Sequence, residues 1–440
     1  MRNKASFESK IQVFAGKFTG KFTSQRHLVA LRDAMATVMP LIIIGSIFML
    51  IAQFPYQPFT DFLNSIGLQA ILNKASDATF GILGFAVTFT AAYNLANYYK
   101  LNTISAGLIS LSSFILLTPV ITGESGTGFP IKYLGSSGLF VGIFVAMIST
   151  EIFRWFVVRN IMIKMPDSVP PNVSKAFSSI IPGLAVIVFW LLVLLGLNAF
   201  GVDNIHDLIA DTVGALLGVL GSTLLGILFV IFVQCFFWMF GIHGAQVTAP
   251  IIEPLLLQNS DMNRIAYQAG QELPNIITYE FLYNFVFMGG AGCLFALALL
   301  LFFKSKSKEN KALGKMSLAP VSFQIAEPVL FGNPIIMNLK MVIPFILAPV
   351  ITAIITYFAM DLGFVPKPIG AVIPWTTPPI IAGYLATGGS ISGAIIQIIT
   401  IAIDVLIYYP FFKIDDRSKL LAEQNTTTDV DSFNLDDIDL

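Results

Sequence analysis

Apolar runs close to twenty residues long recur along this chain, and a helix of that length crosses the roughly 30 Å of a bilayer's hydrocarbon core. They lie near 31–53, 77–99, 102–122, 136–158, 178–201, 213–241, 281–303, 341–361 and 391–412. In lipid every backbone polar group must be satisfied within the protein, so runs of this kind fold as helices. Of 440 residues, 55% are hydrophobic and 12% charged, about half the charged share of a soluble protein. The expected fold class is an all-α polytopic membrane protein. The first run follows a polar, basic stretch and has no small-residue cleavage site, so it reads as a retained span. Cys235 and Cys293 both sit inside apolar runs, and no disulfide framework is expected. A net charge of −1 gives no electrostatic reason to expect a nucleic-acid partner.

The placement of Lys and Arg orients the spans. The N-terminal tail holds Arg2, Lys4, Lys10, Lys17, Lys21, Arg26 and Arg32. With that tail in the cytoplasm, Lys100, the group Arg154, Arg159, Lys164 and Lys175, the cluster Lys304 to Lys315, and Lys413, Arg417 and Lys419 belong on the same side. The loop with Asp203, His206, Asp207 and Asp211 has no Lys or Arg and falls outside. Only three clear runs separate the basic loops near 164 and 304, so one further crossing must lie within about 242–259. The count becomes ten crossings with both termini cytoplasmic. The chain divides into a basic tail (1–30), a half of five ordinary spans (31–200), a half with most of the broken backbone (201–413) and an acidic tail expected to be disordered (414–440).

Two segments share the pattern I-x-E-P-x-L-x-x-N: Ile251 to Asn259 and Ile325 to Asn333. An ionisable group at bilayer depth usually marks a functional site. Proline breaks the helical ladder and is tolerated there where the segment lines an enclosed cavity. A pair of interrupted segments in a membrane chain is the best sequence pointer to a transported substrate. The first element reads as too short and broken for an ordinary helix. The second, 317–340, reads as re-entrant from the cytoplasmic side, and 370–388, rich in Gly and Pro, as another broken, partly inserted segment.

Several residues near these breaks carry chemistry. His243 stands between Gly241 and Gly244, which let a ligand or backbone approach closely. Gln246 adds an amide. Glu253 and Glu327 can cap freed N–H groups beside their prolines or accept hydrogen bonds from hydroxyls, with Gln324 and Asn333 near the second. Trp238 and Trp375 flank broken segments and can stack on sugar rings or sit in an interfacial belt. Asn94 and Asn97 can complete a site or join helices. No metal site or cofactor is indicated, since the histidines are scattered and no Cys/His spacing fits. No P-loop occurs. The glycine-rich stretch 123–128 has no following Lys and reads as an external turn.

Gly241-Ile242-His243-Gly244 and Ala326-Glu327-Pro328 followed by Phe331-Gly332-Asn333-Pro334 carry a resemblance. Over about 25–413 the chain resembles the membrane-embedded IIC component of the bacterial phosphoenolpyruvate-dependent sugar phosphotransferase system, in its lactose/cellobiose/diacetylchitobiose branch. Related branches have Gly-Ile-Thr before the signature Glu, where this chain has Gln324-Ile325-Ala326. That departure bears on the class of sugar more than on the role of the acid.

The resemblance implies ten transmembrane helices, two re-entrant hairpins, a homodimer formed through the first half, and a second half that carries a disaccharide as an elevator in the bacterial cell membrane. It implies phosphorylation of the sugar 6-hydroxyl by a phosphocysteine on a separate IIB protein, itself supplied by IIA. Cellobiose or diacetylchitobiose is favoured over lactose. In that chemistry Glu327 accepts the hydroxyl proton, and His243 orients the hydroxyl or offsets charge on the moving phosphoryl group. His243, Glu327, Trp238, Trp375, Gln246, Asn94, Asn333 and Glu253 would contact sugar. The chain alone would bind and carry sugar without phosphorylating it. A rival of another class is an ion-coupled symporter recruiting Asp404 and Glu253. A membrane sensor without transport is disfavoured by the broken repeated elements.

Overall fold

The computed structural model describes residues 25–431 apart from 124, 125, 167, 334, 336 and 337. Most of the basic N-terminal tail therefore lies outside the described residues. The chain is mostly helical. In order come α1 (Arg26–Ala52), α2 (Gln57–Ser65), α3 (Leu68–Phe80), α4 (Leu83–Tyr98) and α5 (Thr103–Leu117). After a two-stranded hairpin come α6 (Ile131–Leu134), α7 (Leu139–Val158), α8 (Pro171–Ser178), α9 (Ile180–Ala199), α10 (Ile205–Ser222), α11 (Leu224–Met239) and α12 (Gly244–Gln268). A π turn (Phe281–Val286) leads to α13 (Leu294–Lys304), α14 (Lys308–Ser322), α15 (Glu327–Gly332), α16 (Leu339–Asp361), α17 (Ile381–Ala386) and α18 (Ile391–Asp431). Among the described residues seven helices are long and apolar enough to cross a membrane, and Thr103–Leu117 and Leu224–Met239 are shorter apolar helices.

Four local expectations are corrected. The apolar run 213–241 is two helices parted at Thr223. The glycine-rich turn at 123–128 belongs to an antiparallel pair, Ile121–Gly123 with Gly126–Gly128, so the chain is not wholly α. The first Glu-Pro element is not broken: α12 runs unbroken through Pro250 and Pro254. The two prolines stand four apart, so the ladder rungs they delete lie on one face of the helix, and the other faces keep theirs. The acidic tail is helical as far as Asp431, continuous with the last apolar run. Residues 432–440 lie outside the described residues. The helical part is held by the N-terminus of α14. Asp416 accepts from the backbone N–H of Lys306 (2.8 Å) and Ser307 (3.1 Å), and Glu423 from those of Lys308 and Glu309 (3.1 Å each). Lys419 Nζ donates to Asn310 Oδ1 and pairs with Glu309.

The chain forms two compact units. The first comprises residues 1–226, 245–278 and 370–372. Its core gathers Phe114, Val141, Val145, Phe153, Val186 and Trp190 from α5, α7 and α9. Trp190 Nε1 donates to Ser149 Oγ at 2.8 Å, which satisfies the indole inside that core. α12 is fixed by a buried charge network. Arg264 donates to Asp261 (2.7 Å) and to Asp77 of α3 (2.6 Å), and its guanidinium lies over the Phe80 ring. Ser136 donates to the second oxygen of Asp261. Two buried charges without partners would be costly, and here each has one.

The second unit comprises 227–244, 279–369 and 373–440. Phe281, Phe285, Phe345 and Tyr408 are among its fully buried side chains. This unit contains the broken backbone between the π turn and α13, around α15, and over 362–369 and 373–380.

Candidate functional site

Breaks in membrane-depth helices leave N–H and C=O groups that protein must satisfy. In the second unit two buried glutamines do so. Gln324 follows the end of α14 in the left-handed region (φ 67°). Gln324 N–H bonds Val321 O and Ile325 N–H bonds Pro320 O, the double bond of a helix ending that normally takes glycine. Its side chain explains the exception. Gln324 Oε1 accepts from the backbone N–H groups of Gly289 and of Gly290, the latter at 3.0 Å, and Nε2 donates to Thr377 O at 3.4 Å. Gln397, fully buried on α18, accepts from Ile380 N (2.5 Å) and Gly383 N (2.9 Å) and donates to Asn284 O (2.8 Å). Ile380 has φ 76°, a strained value for a β-branched residue. Strain of this kind concentrates where the surroundings over-determine it, commonly at binding sites.

Glu327 is the first residue of α15 and Pro328 the second. Proline is tolerated there because that N–H has no intrahelical acceptor. A carboxylate there also faces the positive end of the helix. Glu327 is exposed, whereas Glu253 is half-buried in the middle of α12 and in the other unit. The shared sequence pattern therefore takes two different backbone forms. Asn333, just after α15, is fully buried, and neither of its amide atoms has a hydrogen-bond partner among the described residues. Buried amides are seldom left so. Asn284, in the π turn, is in the same condition.

Gly241-Ile242-His243-Gly244 closes α11. Gly241 has φ 75°, and Ile242 N–H reaches back to Phe237 O. A side chain on Gly244 would come within 1.9 Å of Gln234 O, so only glycine fits. The turn brings His243 against Trp238, with ring centroids 4.6 Å apart. Trp238 is 5% exposed. Trp375 lies in the 374–380 loop and is 48% exposed.

The expected site residues thus fall into two groups. His243, Trp238, Glu327, Asn333 and Trp375 belong to the second unit, and Asn94, Gln246 and Glu253 to the first. Trp238 and His243 touch, and Gln324 ties the segment leading to Glu327 to the loop carrying Trp375. In the first unit Asn94 donates to Thr90 O within its own helix at 2.8 Å, and Gln246 accepts from Arg32 at 3.4 Å. Gln397 and Asn284 escaped sequence reading, because an amide in an apolar run carries no local signal of the backbone it will cap. No group of three or more His, Cys, Asp or Glu residues able to hold a metal occurs among the described residues.

Comparison with known proteins places this architecture. The family Phosphotransferase system, EIIC matches residues 32–349. The lichenan permease IIC component of Bacillus subtilis (strain 168) is 42% identical over 431 residues, 95% of this chain and 94% of that protein. The cellobiose-specific EIIC component of Geobacillus stearothermophilus is 41% identical over 424 residues, 93% of this chain and 94% of its own length. The crystal structure of the transporter ChbC, the IIC component from the N,N'-diacetylchitobiose-specific phosphotransferase system, aligns with a TM-score of 0.89 at 38% identity, covering 94% of this chain and 99% of that one. With its several apolar spans, this chain is a multi-pass bacterial membrane protein that belongs to the EIIC family of the phosphotransferase system, in the lactose/cellobiose branch.

Proposed function

We propose that this chain binds a β-linked disaccharide or short oligosaccharide, with cellobiose or diacetylchitobiose favoured, and carries it inward for phosphorylation at its 6-hydroxyl. The relatives named for cellobiose, lichenan, oligo-beta-mannoside and diacetylchitobiose support that substrate class. The proposal includes ten crossings with both termini cytoplasmic, two re-entrant hairpins around the broken segments, and a homodimer. In it the 31–200 half is scaffold and the 201–413 half the moving sugar carrier. Helix α9 supports the dimer through a bare apolar stripe of Leu184, Val188, Leu191, Leu192 and Leu195, each more than 40% exposed.

One observation carries the chemical reading: the exposed Glu327 carboxylate stands at the head of α15, on a segment pinned by Gln324 to two other breaks. The sugar O6 attacks phosphorus, the sulfur–phosphorus bond of a phosphocysteine breaks, and the hydroxyl proton passes to Glu327. The donor in this reading is a phosphocysteine on a IIB protein; Cys235 and Cys293 of this chain are both buried and neither presents one. Binding and in-line positioning supply most of the rate. His243 orients the hydroxyl, and Trp238, Trp375 and Asn333 hold the sugar, with Asn94, Gln246 and Glu253 as further contacts. An ion-coupled symporter is not favoured.

Glu327→Gln tests this. The variant keeps shape and hydrogen bonding and removes the proton acceptor. It should still bind cellobiose, while formation of sugar 6-phosphate with phosphorylated IIB falls by about 10²–10⁴. Glu253→Gln is the control. Unimpaired phosphorylation by Glu327→Gln, with loss in the control, would assign the role to Glu253.

A further inference from the structure

The first unit holds a cavity of about 540 Å³ where α1 turns into α2 and the end of α12 comes beside them. That volume falls in the range of about 300–1,000 Å³ typical of ligand sites. Its walls are amphipathic in a particular way. The side-chain amides of Gln53, Gln57 and Asn64 and the Asp61 carboxylate face it together with the rings of Tyr56 and Tyr267. Amides offer donors and acceptors side by side, the complement of a row of sugar hydroxyls, and flat rings suit the apolar face of a pyranose. Asp61 is the one charged side chain of the lining, and no Lys or Arg joins it, which disfavours a phosphate or a carboxylate as occupant.

The frame is pre-built. Gln57 Nε2 donates to Asp61 Oδ1 at 2.9 Å, Gln69 Nε2 reaches Ala52 O at 2.9 Å, and Phe54 packs edge-on against Phe59. Arg264, one turn from Tyr267, and its partner Asp261 anchor that end of α12. Side chains already held in place lose less entropy on binding. None of the residues assigned to sugar above lines this cavity.

We propose that this cavity is a second sugar site, taking a neutral β-linked hexose oligosaccharide at the end of the first span before it is carried. The proposal rests on the transport reading above, which puts this end of α1 outside the cell. Its role is capture: it raises the local concentration of sugar and favours chains longer than two rings.

The test uses the full chain in lipid nanodiscs with cellotetraose and cellobiose as probes. The wild type should show two sites per chain for cellotetraose. Tyr56→Ala with Asn64→Ala should lose one of them and leave cellobiose binding at the other unchanged. In cells the same pair should raise KM for cellotetraose by about tenfold at constant kcat. Gln53→Ala, at the half-buried C-cap of α1, is a second, single variant and should raise KM in the same direction. A single site in the wild type, or wild-type binding by both variants, overturns the second site and leaves the proposed function standing. Failure of the wild type to bind any β-linked sugar overturns both.

Discussion

Gln324 is the residue on which the candidate site most depends. It holds a left-handed backbone that glycine would adopt freely, and its amide caps two N–H groups of the 289–290 turn. Gln324→Ala keeps the strain and strips both caps, so we expect a loss of about 1–3 kcal/mol for each buried donor left unpaired. Gln324→Gly loses the same caps but relieves a conformational cost of roughly 1 kcal/mol. Thermal unfolding in detergent should therefore rank wild type above the Gly variant and the Gly variant above the Ala variant. An Ala variant as stable as the Gly variant would remove the strain from this account. His206 offers a second test, through pH. Its Nε2 bonds Thr118 Oγ1 at 3.1 Å, its ring packs on Phe114 and Tyr133, and Nδ1 is buried without a partner among the described residues. Burial pushes its pKa down from 6.5 to about 4, only partly opposed by the nearby Asp207. The unfolded chain takes up this proton near pH 6.5 and the folded chain only near 4. The stabilisation is thus present above 6.5 and is lost as pH falls from 6.5 through about 4, up to about 3 kcal/mol. His206→Gln should unfold with a flatter pH dependence across that window.

At the scale of elements, the clearest dependence is that of α14 on the far end of α18. The first N–H groups of a helix lack intrahelical partners, and here Glu423 accepts from those of Lys308 and Glu309 while Asp416 accepts from the two just before them, both from more than a hundred residues downstream. These bonds hold the Asp416 carboxyl group's neighbours Ser307 and Asn310 in place as well. Asp416→Ala should cost about 1–2 kcal/mol, as loss of a helix cap does, read as a lower unfolding midpoint. Asp416→Asn should cost less, because the amide oxygen still accepts. Equal midpoints for wild type and Asp416→Ala would mean that water caps α14 as well as the carboxylate does. The same pairing shows where sequence reading stops. Long apolar runs and the second Glu-Pro break were legible, because lipid and proline act locally. The helicity of 414–431 was not, since an acidic tail looks solvated until its partners across the fold are known. Nor was the difference between Glu253 and Glu327. Identical Glu-Pro pairs became a helix interior and a helix start because α12 has its neighbours in the first unit, while α15 follows the Gln324 turn. His243 and Trp238 were readable from the flanking glycines, whereas Gln397 and Asn284 gave no local sign.

At the scale of the whole molecule, the arrangement of charge predicts sidedness. In a version lacking Cys235 and Cys293, single cysteines at Asp203 and Lys311, both exposed, should react with an impermeant reagent from opposite sides of the membrane. Labelling of both from outside intact cells would sink the proposed orientation. The division of the chain between two units has a further consequence, for biosynthesis. Neither unit is contiguous: the second takes 227–244, then 279–369, then 373–440. When the turn bearing His243 leaves the ribosome, about 130 residues must still be made before the last piece of its own unit begins to emerge. At about 5–20 residues per second that is a wait on the order of ten seconds. During that interval α11 and its closing turn are already in the bilayer without α18. Most of the first unit, by contrast, has been translated before α11 begins. An insertion defect late in the chain should therefore strand a formed first unit beside an orphaned helix, the kind of species that membrane quality-control proteases remove.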